Sequence, residues 1–133
     1  KVIVEGDLRF ISEEQKERAR VKMRGIVADH LPQTDAQITF QDRYPAMAPT
    51  EGNYEVLKQL DRVSRDLGFG EITAYDPGAR GAGDISFVAP LLSGLDGLGA
   101  KGGGAHAPDE FIDLSALPEL IKRTAVLIYR LTR

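Results

Sequence analysis

His106 is the first residue whose type and setting could do chemistry. It follows Gly102, Gly103, Gly104 and Ala105 and precedes the acidic pair Asp109-Glu110. A histidine on glycine-rich backbone, after one expected strand and before an expected helix, is placed like a metal ligand and not like a core residue. One imidazole is not a metal site, because zinc takes three or four ligands. On the residues alone, a surface-loop histidine is the plainer reading. Asp109 and Glu110 have two readings of equal weight: carboxylates that orient the imidazole, or acidic residues that begin a helix.

Two arginines and a glycine turn come next. Arg9 lies on the polar side of an alternating segment, where an arginine usually serves solubility, and Arg43 stands in a connector. The run Gly81-Ala82-Gly83-Asp84 opens a short helical pattern, so its backbone amides suit a phosphate. It lacks the G-K-[ST] ending of a nucleotide-binding loop, and Gly78, Gly81 and Gly83 do not fit G-x-G-x-x-G. A phosphate-binding module using residues 78–83 is therefore the weakest of three functional readings. Asp84 reads as a helix N-cap. The other histidine, His30, reads as structural or solvated near a helix end.

These residues need elements to hold them. Residues 2–11 alternate, with Val2, Val4, Leu8 and Phe10 on one side and Glu5, Asp7 and Arg9 on the other, which predicts a strand. Ser12 with Gln15 three residues on predicts a capped helix, its inner face Ala19, Met23, Ile26, Val27 and His30. Alternation returns at 36–41. The proline-marked stretch from Arg43 to Pro49 is the best boundary, giving domains 1–43 and 44–133. Thr50 then caps a helix with Val56, Leu57, Leu60, Val63 and Leu67 inward, stopped by Gly68. Short strands are expected at 71–75 and 95–98, with a short helix carrying Ile85, Phe87, Val88 and Leu91 between them. A closing helix has Leu117, Leu120, Ile121, Thr124, Leu127, Ile128 and Leu131 inward and Pro118 in its first turn. Strands alternating with helices give an α/β class.

Composition bounds the rest. A chain of 133 residues with 42% hydrophobic and 28% charged content is globular. A net charge of -3 implies no nucleic-acid partner. The absence of cysteine excludes thiolate metal sites, disulfides and cysteine nucleophiles. No apolar run nears the roughly 20 residues that span a membrane, and no membrane partner is expected. The compartment stays open between cytoplasmic and periplasmic or secreted. The chain starts on Lys1 inside a strand pattern, so it is expected to be a piece of a longer protein.

Residues 102–112 have the form G-x-x-x-H-x-x-[DN]-E-x-[VI], with His106, Asp109, Glu110 and Ile112 in register. In this the chain resembles the dizinc metallopeptidases that include glutamate carboxypeptidase, aminoacylase, carnosinase-like dipeptidases and succinyl-diaminopimelate desuccinylase. The likeness runs over nearly the whole chain. It implies half of a ferredoxin-like lid, as strand–helix–strand, followed by the C-terminal half of an α/β catalytic domain. It implies His106 as a ligand to one of two zinc ions. It likens Asp7-Leu8-Arg9 to the lid's D-x-R strand, whose arginine faces the substrate. Arg43-Tyr44-Pro45-Ala46 resembles a connector whose arginine binds the substrate's terminal carboxylate, a task suited to a planar, permanently charged fork. Residues 81–84 look like the family's G-[GS]-[ST]-D turn, which puts Gly81 and Gly83 beside that carboxylate.

The implied reaction is metal-dependent hydrolysis of an amide next to a free carboxylate, in a small peptide or N-acyl amino acid. A C-terminal glutamate is favoured by the Arg43 match, with an aminoacylase or dipeptidase preference beside it. The family's H-x-D motif is absent, and the single Glu-Glu, Glu13-Glu14, falls in an exposed first helical turn. The chain alone is therefore expected to be inactive. A second reading, from another class, is a non-catalytic binding or dimerisation module. Half a lid leaves unpaired strand edges, so a homodimer is expected in either case, with sedimentation as a monomer at high concentration counting against it.

Overall fold

A computed structural model describes residues 1–79 and 83–133. They fall into two compact units: Lys1–Ala48 with Asp76–Leu91, and Pro49–Tyr75 with Leu92–Arg133. The architecture is mixed, three α-helices with one two-stranded sheet, and compatible with an α/β class.

The first unit is built on α1, Glu13–Ala28. Ser12 caps it by accepting the Gln15 amide at 3.1 Å, while the Gln15 side chain accepts the Ile11 amide at 2.8 Å. The capping box of the sequence is present, with its return bond one residue earlier than the usual pattern. Inward positions include Lys16, Ala19, Met23 and Val27, but the most buried is Arg20, at 8% exposure. Ile26, expected inside, is 74% exposed.

The strands expected at 2–11 and 36–41 form no ladder among the described residues. A strand is completed only by a partner's amides and carbonyls, and neither segment supplies them to the other. Their alternation is real but local. Leu8 and Phe10, and likewise Ile38 and Phe40, are half-buried with exposed residues between. Phe10 lies under Lys16 of α1 and Phe40 under Arg20 and Arg24. Away from the helix the pattern buries nothing, and Val2 and Val4 are 87% and 88% exposed.

In the second unit α2, Glu51–Asp66, packs on α3, Leu117–Leu131. Thr50 caps α2 through the Asn53 amide at 3.2 Å. Gly68, at φ +76°, ends it. There the amides of Gly68 and Phe69 bond back to the Arg65 and Ser64 carbonyls, the Schellman closure. Leu60, Val63 and Leu127 are fully buried, and Leu57, Leu67, Ile72, Leu95, Leu98 and Val126 pack around them. The strands expected at 71–75 and 95–98 do not form, although Ile72, Leu95 and Leu98 from these stretches pack on this core, and Gly97 turns the second at φ +80°. Ile72 donates its amide to the Asp61 carboxylate at 2.8 Å, so a side chain replaces the ladder. On α3, Ile121 and Ile128 are 65% and 57% exposed rather than inward. They border an apolar groove of about 430 Å³ with Leu98, Leu117, Leu120 and Thr124. No described helix is long and apolar enough to cross a membrane.

Candidate functional site

His106 sits on a hairpin. Strands β1, Gly102–Gly103, and β2, Phe111–Ile112, pair antiparallel, and the Asp113 amide extends the pairing to the Lys101 carbonyl at 2.8 Å. The glycines are dictated by close approach. A Cβ at Gly102 would stand 2.0 Å from the Phe111 carbonyl oxygen, and one at Gly103 would meet the Phe111 ring at 2.9 Å. The connecting loop is two successive turns, closed by Ala107 on Gly104 at 2.9 Å and Glu110 on Ala107 at 3.1 Å. The first turn puts His106 at φ +66°, a left-handed conformation that costs a side-chain-bearing residue of order 1 kcal/mol. Gln33 has the same φ sign at 65°, in the turn that Thr34 closes on Leu31, where Pro32 presets the chain. No proline presets the turn at His106. The imidazole is exposed and makes no hydrogen bond among the described residues.

Neither expected role of Asp109 and Glu110 is seen. Their carboxylates do not bond His106, and neither caps the helix. Asp113 instead caps the 3-10 turn Leu114–Ala116 that leads into α3, accepting the Ser115 amide at 3.0 Å and the Ser115 hydroxyl at 2.5 Å. Those bonds hold its carboxyl below the usual carboxylate range.

The arginines lie in the first unit. Arg9 is exposed and pairs with Asp7 at 3.1 Å across two residues. Arg43 is exposed and has no hydrogen-bond or acidic partner among the described residues. Its neighbours are all held. Asp42 takes the Arg20 guanidinium at 2.5 and 3.3 Å and Lys16 at 3.3 Å. This grip, Arg20 first, keeps the Asp42 carboxyl below its ordinary range. The Tyr44 hydroxyl donates to Asp84 at 3.2 Å, and its ring meets Phe87 at 5.2 Å between centroids. The Ala46 amide donates to Glu13 at 3.0 Å. The connector is thus fixed at 42, 44 and 46, and Arg43 is the cation left between.

Gly83 precedes a 3-10 turn, Asp84–Phe87, and accepts the Ser86 amide at 3.0 Å. Gly81 lies outside the described residues. Asp84, expected to cap this turn, caps nothing. It is the first residue inside the turn and spends its carboxylate on Tyr44. The turn is also shorter than the helix expected there, and it leaves Phe87 and Leu91 56% and 85% exposed. Glu13-Glu14 is engaged on α1. Glu13 pairs with Lys16, and Glu14 lies 3.8 Å from Arg18. The Lys16 contact lowers the Glu13 carboxyl, whereas a general base would need it raised.

The network that sequence reasoning missed is Arg20–Asp42 with Lys16 and Phe40. Its one signal was a row of cations on α1 facing a lone aspartate after a strand pattern, which spacing alone does not pair.

The sequence profile of Peptidase family M20/M25/M40 matches residues 4–130. The chain belongs to Peptidase family M20/M25/M40. No curated protein and no solved structure matches it. Membership makes this a metallopeptidase sequence, of a family that acts as metal-dependent hydrolases. The described residues do not by themselves fit a metal centre: no group of three or more histidine, aspartate or glutamate side chains is arranged to hold an ion. His106 offers one imidazole where zinc requires three or four ligands.

Proposed function

We propose that this chain serves an M20 hydrolase that cleaves an amide bond beside a free carboxylate, and that it supplies the carboxylate-binding side of that site. The supporting observation is Arg43, a guanidinium with no partner among the described residues, on a connector fixed on both sides. Fixing the backbone lowers the ordering cost of presenting this side chain, and its fork matches a carboxylate with two parallel N–H···O bonds. Arg9, once released from Asp7, and the turn residues Gly81 and Gly83 are assigned to the same carboxylate. His106 contributes one ligand to a zinc centre, and a left-handed backbone at an exposed hairpin tip is the kind of strained setting that functional residues occupy. The general base and the other metal ligands lie outside these residues, so the chain alone does not turn over substrate. A C-terminal glutamate or an N-acyl glutamate is the substrate to test first.

The test compares hydrolysis of an N-acyl-glutamate with that of its α-carboxamide, with zinc or cobalt present. The enzyme joins this chain to an upstream segment bearing H-x-D and Glu-Glu. Arg43→Ala is expected to raise KM for the acid by on the order of 10- to 100-fold, the loss of a charge-assisted contact, and to leave the carboxamide rate alone. An unchanged KM for the acid removes the carboxylate assignment. Exposed apolar residues at the chain start, Val2, Ile3 and Val4, favour the second reading, a module that pairs with another chain. Metal-dependent hydrolysis by the joined enzyme that is indifferent to Arg43→Ala would leave that reading standing.

A further inference from the structure

We propose that Tyr44 and Asp84 form a latch that positions Arg43 for anion recognition, with Phe87 as its apolar backing. The inference rests on the carboxylate reading of Arg43 and adds to it the residues that set the affinity. Tyr44 is the immediate neighbour of Arg43. Its hydroxyl donates to Asp84 at 3.2 Å, and its ring leans on Phe87 at 5.2 Å and 53°. That tilted contact is a favoured aromatic geometry. Asp84 and Phe87 belong to the 3-10 turn that Gly83 opens. One side chain therefore ties the arginine-bearing connector to the glycine turn, forty residues on in sequence.

The carboxylate of Asp84 is an unexpected choice near an anion site, since a like charge opposes the ligand. Its value lies in the acceptor oxygen. Tyr44 needs an acceptor to fix the connector, and one Asp84 oxygen supplies it. Asp42, the acid next to Arg43 in sequence, is occupied by Arg20 and Lys16. The acid adjacent to Arg43 is thus engaged elsewhere, and the Arg43 fork has no internal partner among the described residues. In this arrangement Tyr44 and Asp84 are positioning residues and touch no substrate.

The experiment is a titration of the full chain with N-acetyl-L-glutamate, followed by the NMR shift of the Arg43 side-chain Nε–H. The wild type should show a saturable shift. Tyr44→Phe keeps the ring contact and loses the hydrogen bond. It should weaken binding about fivefold, the equivalent of one hydrogen bond, with an unchanged Tm. Asp84→Ala should weaken binding similarly. Asp84→Asn keeps an acceptor for Tyr44 and removes the charge, so it should bind as well as the wild type or better. Wild-type affinity in Tyr44→Phe overturns the latch. Equal behaviour of Asp84→Ala and Asp84→Asn also overturns it, because charge alone would then explain Asp84. A wild type whose binding is indifferent to Arg43→Ala, or that shows no saturable shift, defeats the carboxylate reading and the latch with it.

Discussion

At the scale of residues, the most informative position is one that its charge disguises. Arg20 is buried at 8% exposure, and its guanidinium holds Asp42 at 2.5 Å with the Phe40 ring 5.0 Å away. Along the chain Arg20 is one of several cations of α1, with Arg18, Lys22 and Arg24, and nothing in its spacing marks it for burial, because an unpaired arginine is almost never buried. Its pairing with a residue beyond the next extended segment is a tertiary fact that local spacing does not carry. Arg43, by contrast, was legible as a candidate, since Arg43-Tyr44-Pro45-Ala46 resembles the family's carboxylate-binding connector. Its lack of an acid partner was not legible, because that depends on where Asp42 finds its own.

The Asp42 contact has a sign that can be checked. Arg20 and Lys16 lower the folded-state pKa of Asp42 below its unfolded value. Its stabilising contribution is therefore complete above the ordinary aspartate range and is lost as pH falls through the depressed folded value. Thermal melts taken at descending pH should show the wild type losing stability more steeply through that acid window than Asp42→Asn, which lacks the contribution at every pH. Parallel slopes for the two proteins would remove Asp42 from the acid response.

At the scale of elements, what could be read was what is decided locally. The Ser12 and Thr50 caps and the Gly68 stop are set by residues within five positions of one another, and all three are as expected. The strands were not settled this way. A period of two says which side chains share a face, and the half-buried Leu8, Phe10, Ile38 and Phe40 obey it. It does not provide the partner strand, and 2–11 and 36–41 have none here. The hairpin carrying His106 was foreseen only as a glycine loop, although each of its first two glycines is forced by Phe111. Gly102→Ala should open it, since the added carbon would lie 2.0 Å from backbone oxygen, at a cost of about 1–3 kcal/mol. Gly99→Ala is the control, with open space around its position. Amide exchange at Asp113, which bonds Lys101, should accelerate in the first variant and stay unchanged in the second. Equal protection in both would mean that the hairpin tolerates the clash and that glycine is not needed there.

At the scale of the whole molecule, the chain keeps few apolar side chains fully inside: Leu60, Val63 and Leu127 are the buried hydrophobics. The stripe on α3 is wider than the part α2 covers, which is why Ile121 and Ile128 were expected inside and lie exposed. Sequence periodicity reports that a face is apolar, not whether a neighbour is present to cover it. The same reasoning bears on the metal. A family motif identifies His106 without saying that its co-ligands are near, and the described residues contain no group arranged to hold an ion. In the function proposed above, this chain brings a carboxylate-binding arginine and one metal ligand, not a complete centre. Calorimetric titration of the chain with zinc tests it most directly. Weak heats with no one-to-one step are expected, little altered by His106→Ala, because one imidazole supplies too few ligands. Tight one-to-one binding that disappears in His106→Ala would contradict it.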